Sequence, residues 1–215
     1  LTYTVNPYQT ACGAVDIAMH TIERYFCPGE DTYLTDSIAE AVIKSTRKAA
    51  FDCMKNPDDY TARANMMWAS SLAHNGLTQC GREFQLVVHQ FEHELSGMYP
   101  KIAHGAGLAA IWCSWARYVY KANISRWLQY SANVWNLDID YEHPEKTIEE
   151  AINLQEQYYV SLGMPIGLKA LGVEEASLTK LALNCSRNKT RTLTGYKPLA
   201  YDDILAIYQM AYERG

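Results

Sequence analysis

The sequence predicts an all-α fold of about nine helices. Apolar residues recur at the three- to four-residue spacing of an amphipathic helix along nearly the whole chain. Strand-like alternation is almost absent, apart from a weak stretch near Leu137–Tyr141. Capping residues, glycines and prolines divide the periodic stretches into separate helices. No linker and no internal repeat interrupts them, so we expect one helical domain.

Caps and stops set the expected boundaries of the elements. Cys27-Pro28-Gly29 ends the first helix, and Ser37 with Glu40 forms a capping box that starts the second. Asn75-Gly76 is the C-terminal stop of the third. The nine predicted helices are Gln9–Phe26, Ser37–Lys55, Asp59–His74, Arg82–Gly97, Gly105–Lys121, Ile124–Trp135, Thr147–Leu162, Glu174–Cys185 and Tyr201–Tyr212.

Composition excludes several function classes. The formal net charge is −5, which gives no electrostatic reason to expect nucleic acid or an anionic membrane as a partner. No apolar run approaches the roughly 20 residues of a membrane-spanning helix. The six cysteines are scattered and form no CxxC pair, which is typical of reduced thiols in a cytoplasmic protein. The chain starts at Leu1 without an initiator methionine, as a segment of a longer protein would.

Histidines and one aspartate are the candidate functional residues. Asp16 and His20 are four apart on one predicted helix, and His89 and His93 repeat that spacing on another. Side chains at this spacing share a helix face, with Cβ atoms roughly 5–6 Å apart. His104 begins a fifth helix rich in small residues. A carboxylate together with neutral imidazoles is a ligand set that suits Zn²⁺ or Fe²⁺.

Simpler interpretations exist for each feature alone. Taken alone, the Asp16–His20 pair is typical of a contact on the surface of a helix. The His89–His93 pair alone is typical of hydrogen-bonded histidines in a core, and His104 alone could be a capping residue. The combination of one aspartate with histidines from three helices favours a metal site. His74, at a helix end, and His143, in a polar loop, are interpreted as surface residues.

Six motifs occur in order from one end of the chain to the other. They are Thr2–Ala11 leading into Asp16-xxx-His20, Tyr60-xx-Arg63-Ala64-Asn65-xx-Trp68-Ala69-Ser70 with Asn75-Gly76, His89-xxx-His93-Glu94-Leu95-Ser96, His104-Gly105-Ala106-Gly107-Leu108-Ala109, Leu162-Gly163-Met164-Pro165 and Gly195-Tyr196-Lys197-Pro198-Leu199. In this order they resemble the iron-containing (group III) alcohol dehydrogenases, in particular the butanol-dehydrogenase branch.

The resemblance implies both a fold and a set of site residues. It implies that all 215 residues form the helical metal-binding domain of the dehydroquinate synthase-like type, and that the N-terminal nucleotide-binding α/β domain is absent from this chain. The metal ligands, for Fe²⁺ or Zn²⁺, fall on Asp16, His20, His89 and His104. His93 matches a further histidine near the substrate and nicotinamide.

The resemblance also implies an activity. The intact protein would interconvert aldehydes and primary alcohols with NAD(P)H, and this chain alone would lack hydride transfer. Its partners would be a small alcohol or aldehyde and, if it assembles, a second copy in a homodimer. By this resemblance the loop Tyr99–Ala103 is one residue longer than is usual in the family. Because this loop precedes His104, its length affects where the His104 side chain lies relative to the other implied ligands.

Two other functions fit the same residues. One is a metal-dependent hydrolase with a His/Asp helical site, although the sequence has no His-Asp dipeptide of the kind that helical phosphohydrolases use. The other is a non-catalytic helical domain whose histidines are structural. Metal-dependent phosphoesterase activity would favour the first, and purification without metal would favour the second.

Overall fold

The structure is a computed structural model that describes residues 1–29 and 32–214. The described part is helical and contains no β-strand, only two isolated bridges, so the all-α prediction is confirmed. Its nine α-helices are α1 (Pro7–Tyr25), α2 (Tyr33–Lys55), α3 (Tyr60–His74), α4 (Val87–Met98), α5 (His104–Val119), α6 (Ile124–Trp135), α7 (Pro144–Ser161), α8 (Leu178–Cys185) and α9 (Tyr201–Glu213).

Side-chain caps explain where three of the helices begin. The Asn6 side chain accepts a hydrogen bond from the backbone N–H of Gln9 at 2.8 Å at the start of α1. Asp59 does the same for α3, and Asn123 for α6. Each cap satisfies an N–H group that has no partner inside its own helix.

Helix α5 is the centre of the fold. Most of its residues are buried, and it packs against α1, α4, α7 and α9. Its Trp112 is fully buried beside Trp127, Tyr130 and Tyr159. Large buried aromatic rings supply much of the hydrophobic stabilisation of such a core. Helix α5 therefore holds its first residue, His104, on a well-packed support.

Gly105 allows α5 to touch α1. A Cβ at this position would overlap the backbone carbonyl group of Cys12, whereas a Cβ on Gly13 would meet no atom within 4 Å outside its own helix. We expect Gly105→Ala to destabilise the chain by about 1–3 kcal/mol through overpacking. Gly13→Ala should be neutral or stabilise it by up to about 1 kcal/mol, because alanine favours the helix. Urea unfolding of the two variants checks this, and equal stabilities would contradict it.

Two predicted helix starts are wrong. The capping box at Ser37 and Glu40 does not form, since α2 begins four residues earlier. Ser37 Oγ donates instead to the Tyr33 carbonyl at 2.9 Å, and Glu40 lies in the core, where it accepts a hydrogen bond from Tyr25. The fourth helix begins at Val87 rather than Arg82. The buried Arg82 side chain instead donates hydrogen bonds to Asp36 of α2 and to the Arg24 carbonyl group of α1.

The remaining boundaries lie close to the prediction, with two differences. The weak strand-like stretch at 137–141 forms no strand, because Asn136 adopts a left-handed conformation that ends α6 and turns the chain. The eighth predicted helix starts as a 3-10 turn, Glu175–Ser177, which leads into α8. A 3-10 turn is a common lead-in to an α-helix.

Two further observations concern the state of the cysteine thiols and the apolar length of the helices. All six cysteines carry free thiols, and only Cys80 is exposed. In the part of the chain that the structure describes, no helix is both long and apolar enough to cross a bilayer.

Candidate metal centre

Three imidazoles converge on one carboxylate oxygen. Oδ1 of Asp16 lies 3.5 Å from Nε2 of His20, 3.3 Å from Nε2 of His89 and 3.4 Å from Nε2 of His104. The structure therefore brings together all four residues that the sequence predicts as ligands. The loop Tyr99–Ala103 leads into α5 with His104 in this group.

Helix geometry explains the convergence. Asp16 and His20 lie one turn apart on α1, and His89 lies in the first turn of α4. His104 is the first residue of α5. The close approach of α5 to α1 at Gly105, the next residue, brings this imidazole to the α1 ligands.

Buried glutamates orient two of the imidazoles. The carboxylate of Glu23 accepts a hydrogen bond from Nδ1 of His89, and that of Glu92 accepts one from Nδ1 of His104. The Glu23 and Glu92 side chains are 1% and 0% exposed. With Nδ1 bonded in this way, Nε2 of each ring faces Asp16, which is the arrangement typical of metal-bound histidines.

Glu23 has a second role at the start of α4. Its Oε1 accepts from the backbone N–H of Val88 at 2.5 Å, and its Oε2 from that of His89 at 3.3 Å. The helix has no side-chain cap of its own, so a residue of α1 satisfies its first N–H groups. One carboxylate thus fixes both the position of α4 and the ring of His89.

The electrostatics favour positive charge at this point. Hydrogen bonds to Asp16 and Glu92 raise the pKa of His104 to about 10. Burial lowers the pKa of His89, but hydrogen bonds to Asp16 and Glu23 outweigh it and raise the pKa to about 9. Burial raises the pKa of Asp16, yet hydrogen bonds from His104 and His89 hold it below its ordinary value.

His20 differs from the other two imidazoles. Burial and the neighbouring His89 lower its pKa to about 3. It is therefore neutral at physiological pH, which is the protonation state that a metal ligand needs. Its Nδ1 is buried and has no hydrogen-bond partner in the structure. The donor set of one carboxylate and three imidazoles, with carboxylates behind two of them, fits a divalent cation.

His93 lies beside the converging group. Its ring centroid is 5.6 Å from that of His104 and 5.9 Å from that of His89, and its side chain is exposed. Partial burial lowers its pKa, and the neighbouring His89 and His104 lower it further. His93 is thus a neutral base at the edge of the site, next to the candidate ligands but with access to solvent.

Three residues near the centre were not predicted as site residues from the sequence. His74 is exposed, as expected, but its ring centroid lies only 4.0 Å from that of His20. Glu23 and Glu92 were overlooked because acidic residues in helices are common. Their signal was their spacing, since each follows a candidate ligand by three residues within an apolar stretch of helix.

A sequence model described as "Fe-containing alcohol dehydrogenase family, C-terminal" matches residues 10–212. The chain belongs to the Fe-containing alcohol dehydrogenase family. This confirms the resemblance drawn from the motifs, and the part of the family concerned is its C-terminal part.

Relatives within the Fe-containing alcohol dehydrogenase family cover nearly the whole chain. NADH-dependent butanol dehydrogenase A of Clostridium acetobutylicum is 39% identical over 98% of this chain and 54% of that protein. NADPH-dependent aldehyde reductase YqhD of Escherichia coli is 29% identical, also over 98% and 54%. The crystal structure of NADH-dependent butanol dehydrogenase A from Thermotoga maritima matches with a TM-score of 0.90 and 31% identity, over 98% of this chain and 54% of that one. The chain spans about half the length of the relatives that it matches.

Proposed function

We propose that this chain is the metal-binding part of an NAD(P)-dependent enzyme that interconverts aldehydes and primary alcohols. The observation that carries the proposal is the convergence of three imidazole nitrogens on Oδ1 of Asp16 at 3.3–3.5 Å. It occurs in a chain of the Fe-containing alcohol dehydrogenase family, whose relatives are named butanol dehydrogenases and an aldehyde reductase.

Asp16, His20, His89 and His104 would hold a divalent cation, either Fe²⁺ or Zn²⁺. Such a cation supplies Lewis-acid chemistry toward the oxygen of an aldehyde or alcohol. The chain's own contribution is to fix the donors before the cation arrives. Glu23 and Glu92 hold the rings of His89 and His104 from behind, so that little reorganisation is needed on binding.

His93 is the proposed catalytic residue of this chain. Its imidazole would accept the proton that leaves an alcohol, or give a proton to a forming alkoxide, and exchange it with solvent. Its exposure gives it the contact with water that such a relay needs. Its lowered pKa leaves it neutral at physiological pH and so able to accept a proton.

The nicotinamide cofactor supplies the hydride, and we assign its binding to an N-terminal domain outside this chain. The 215-residue sequence contains no GxGxxG or Walker motif to cradle its phosphates. The free thiols fit a reducing compartment, so we place the enzyme in the cytoplasm. We also propose a homodimer as the assembly, and primary alcohols and aldehydes as the substrates.

The test uses a full-length protein that contains this chain, with butyraldehyde and NADH or NADPH. We expect aldehyde-dependent cofactor oxidation in the unchanged protein and in the His143→Ala control. His89→Ala should abolish it, and His93→Gln should lower kcat by about 10²-fold or more. The isolated chain should show no hydride transfer. Full activity in the His89→Ala variant, or no activity with any primary aldehyde, would overturn the proposal.

A further inference from the structure

His74 lies at the solvent edge of the candidate metal centre, in the last turn of α3. Its ring centroid is 4.0 Å from that of His20, with the two rings inclined at 56°. Nδ1 of His74 lies 3.0 Å from the Ser70 carbonyl oxygen, which can only accept a hydrogen bond. Nδ1 therefore carries the hydrogen, and the lone pair on Nε2 is available to bind a cation.

Asp16, His20 and His74 form a compact group of donors. Each offers one ligand atom, and these atoms lie within 4.8 Å of one another. Two ligands that bind one cation at about 2.0–2.2 Å can be at most about 4.4 Å apart. A movement of a few tenths of an ångström by the exposed His74 side chain would bring the group within that limit.

A second compact group lies on the inner side of Asp16. It consists of Asp16, His89 and His104, whose ligand atoms also lie within 4.8 Å of one another. Asp16 belongs to both groups, and His20 lies between them, 4.0 Å from the His74 ring and 4.2 Å from the His89 ring. A cation could therefore exchange His74 for His89 and His104 without releasing Asp16 or His20.

We propose that Asp16, His20 and His74 form an outer position at which a divalent cation binds before it moves to the inner position. The contrast between His74 and His89 supports this order. His74 is exposed and Asp16 is partly exposed, whereas the inner position combines a partly exposed His104 with a His89 side chain that is only 2% exposed. Two imidazoles and a carboxylate suit Zn²⁺ and similar first-row cations.

This inference rests on the proposed metal site, and the experiment separates the two. The probe is Co²⁺ alone, added to the metal-free chain and followed by its visible absorption and by calorimetry. In the double variant His89→Ala/His104→Ala, which lacks the inner position, we expect one Co²⁺ to bind weakly. Adding His74→Leu should weaken that binding by at least about 10–100-fold, the loss seen when even an outer partner of a ligand is removed.

In the otherwise unchanged chain, His74→Leu should slow the association of Co²⁺ several-fold. The final coordination spectrum should stay the same, because the inner ligands are intact. His143→Leu, which also replaces an exposed histidine at a helix end, is the matched control and should change neither property. Circular dichroism verifies that each variant is folded.

The possible results distinguish failure of the proposed metal site from failure of the outer position alone. If the unchanged chain binds no Co²⁺, the proposed metal site fails. If the unchanged chain binds Co²⁺ but the double variant does not, or if His74→Leu leaves the association rate unchanged, only the outer position is overturned. Weak binding by the double variant that depends on His74, together with slower association in the single variant, supports it.

Discussion

Replacing Asp36 with alanine is expected to destabilise the chain by about 3–5 kcal/mol, because it leaves buried arginines without their carboxylate. Asp36 Oδ1 accepts hydrogen bonds from Arg82 and, at 2.9 Å, from Nη2 of Arg126. Its Oδ2 accepts one from Nη1 of Arg126 at 2.5 Å. The side chains of Asp36 and Arg126 are each 9% exposed, and that of Arg82 is 0% exposed.

The two arginines cannot avoid the lost charge by releasing a proton. Burial and the neighbouring Arg126 lower the pKa of Arg82 only to about 10, so it stays charged at neutral pH. Both guanidinium groups are also held in place by backbone carbonyl groups, since Arg82 bonds to that of Arg24 and Arg126 to that of Tyr25. Without Asp36 the site would keep two buried cations next to each other.

Thermal or urea unfolding of three variants measures the effect. Asp36→Ala should show the full loss and Asp36→Asn a smaller one, because the amide oxygen still accepts a hydrogen bond. The matched control is Asp52→Ala on the same helix, which removes the exposed ion pair with Lys48 and should change stability little. If Asp36→Ala and Asp52→Ala had equal effects, the buried cluster would not contribute as described.

The sequence predicted the helices well where local signals determine them. Asn6, Asp59 and Asn123 act as caps through their own side chains, and helical periodicity marks the rest. The prediction failed where distant contacts decide. Ser37 and Glu40 have the spacing of a capping box, but Glu40 is drawn into the core by Tyr25. No local pattern in the sequence shows that Glu40 bonds to Tyr25 in the core instead of capping a helix.

For the candidate metal centre too, sequence spacing predicts some features, whereas others depend on how distant helices pack. The spacing of Asp16 with His20, and of His89 with His93, follows from helix geometry and can be deduced from the sequence alone. Which imidazoles meet at one point depends on how α1, α4 and α5 pack. The proximity of His74 to His20 depends on that packing as well, which is why its position at a helix end gave no indication of the site.

Removing bound metal is expected to lower the melting temperature of this chain by roughly 5–10 °C. A cation held by Asp16, His20, His89 and His104 would join α1 to α4 and α5, so it binds the folded state and not the unfolded one. At a free concentration one hundred times the dissociation constant this stabilises the fold by about 2.7 kcal/mol. For a chain of this size, each kcal/mol corresponds to about 2–4 °C.

The shift should shrink as the pH falls. Protons compete with the cation for the same imidazole nitrogens, so acid weakens binding and removes the stabilisation with it. Melting curves with chelator, and after restoring Zn²⁺ or Fe²⁺, measured at several pH values, provide the test. Adding metal back must recover the original temperature, which shows that the chelator acted through the cation.

Ligand variants identify which side chains produce the shift. His89→Ala should lose both tight metal binding, measured by elemental analysis, and the response to chelator. His93→Ala and His143→Ala should keep both, because these residues lie outside the four-ligand group. A chelator effect that persists in His89→Ala would place the cation elsewhere. Identical melting temperatures with and without metal in the unchanged chain would instead mean that hydrogen bonds alone hold these histidines, with Glu23 and Glu92 as their structural partners.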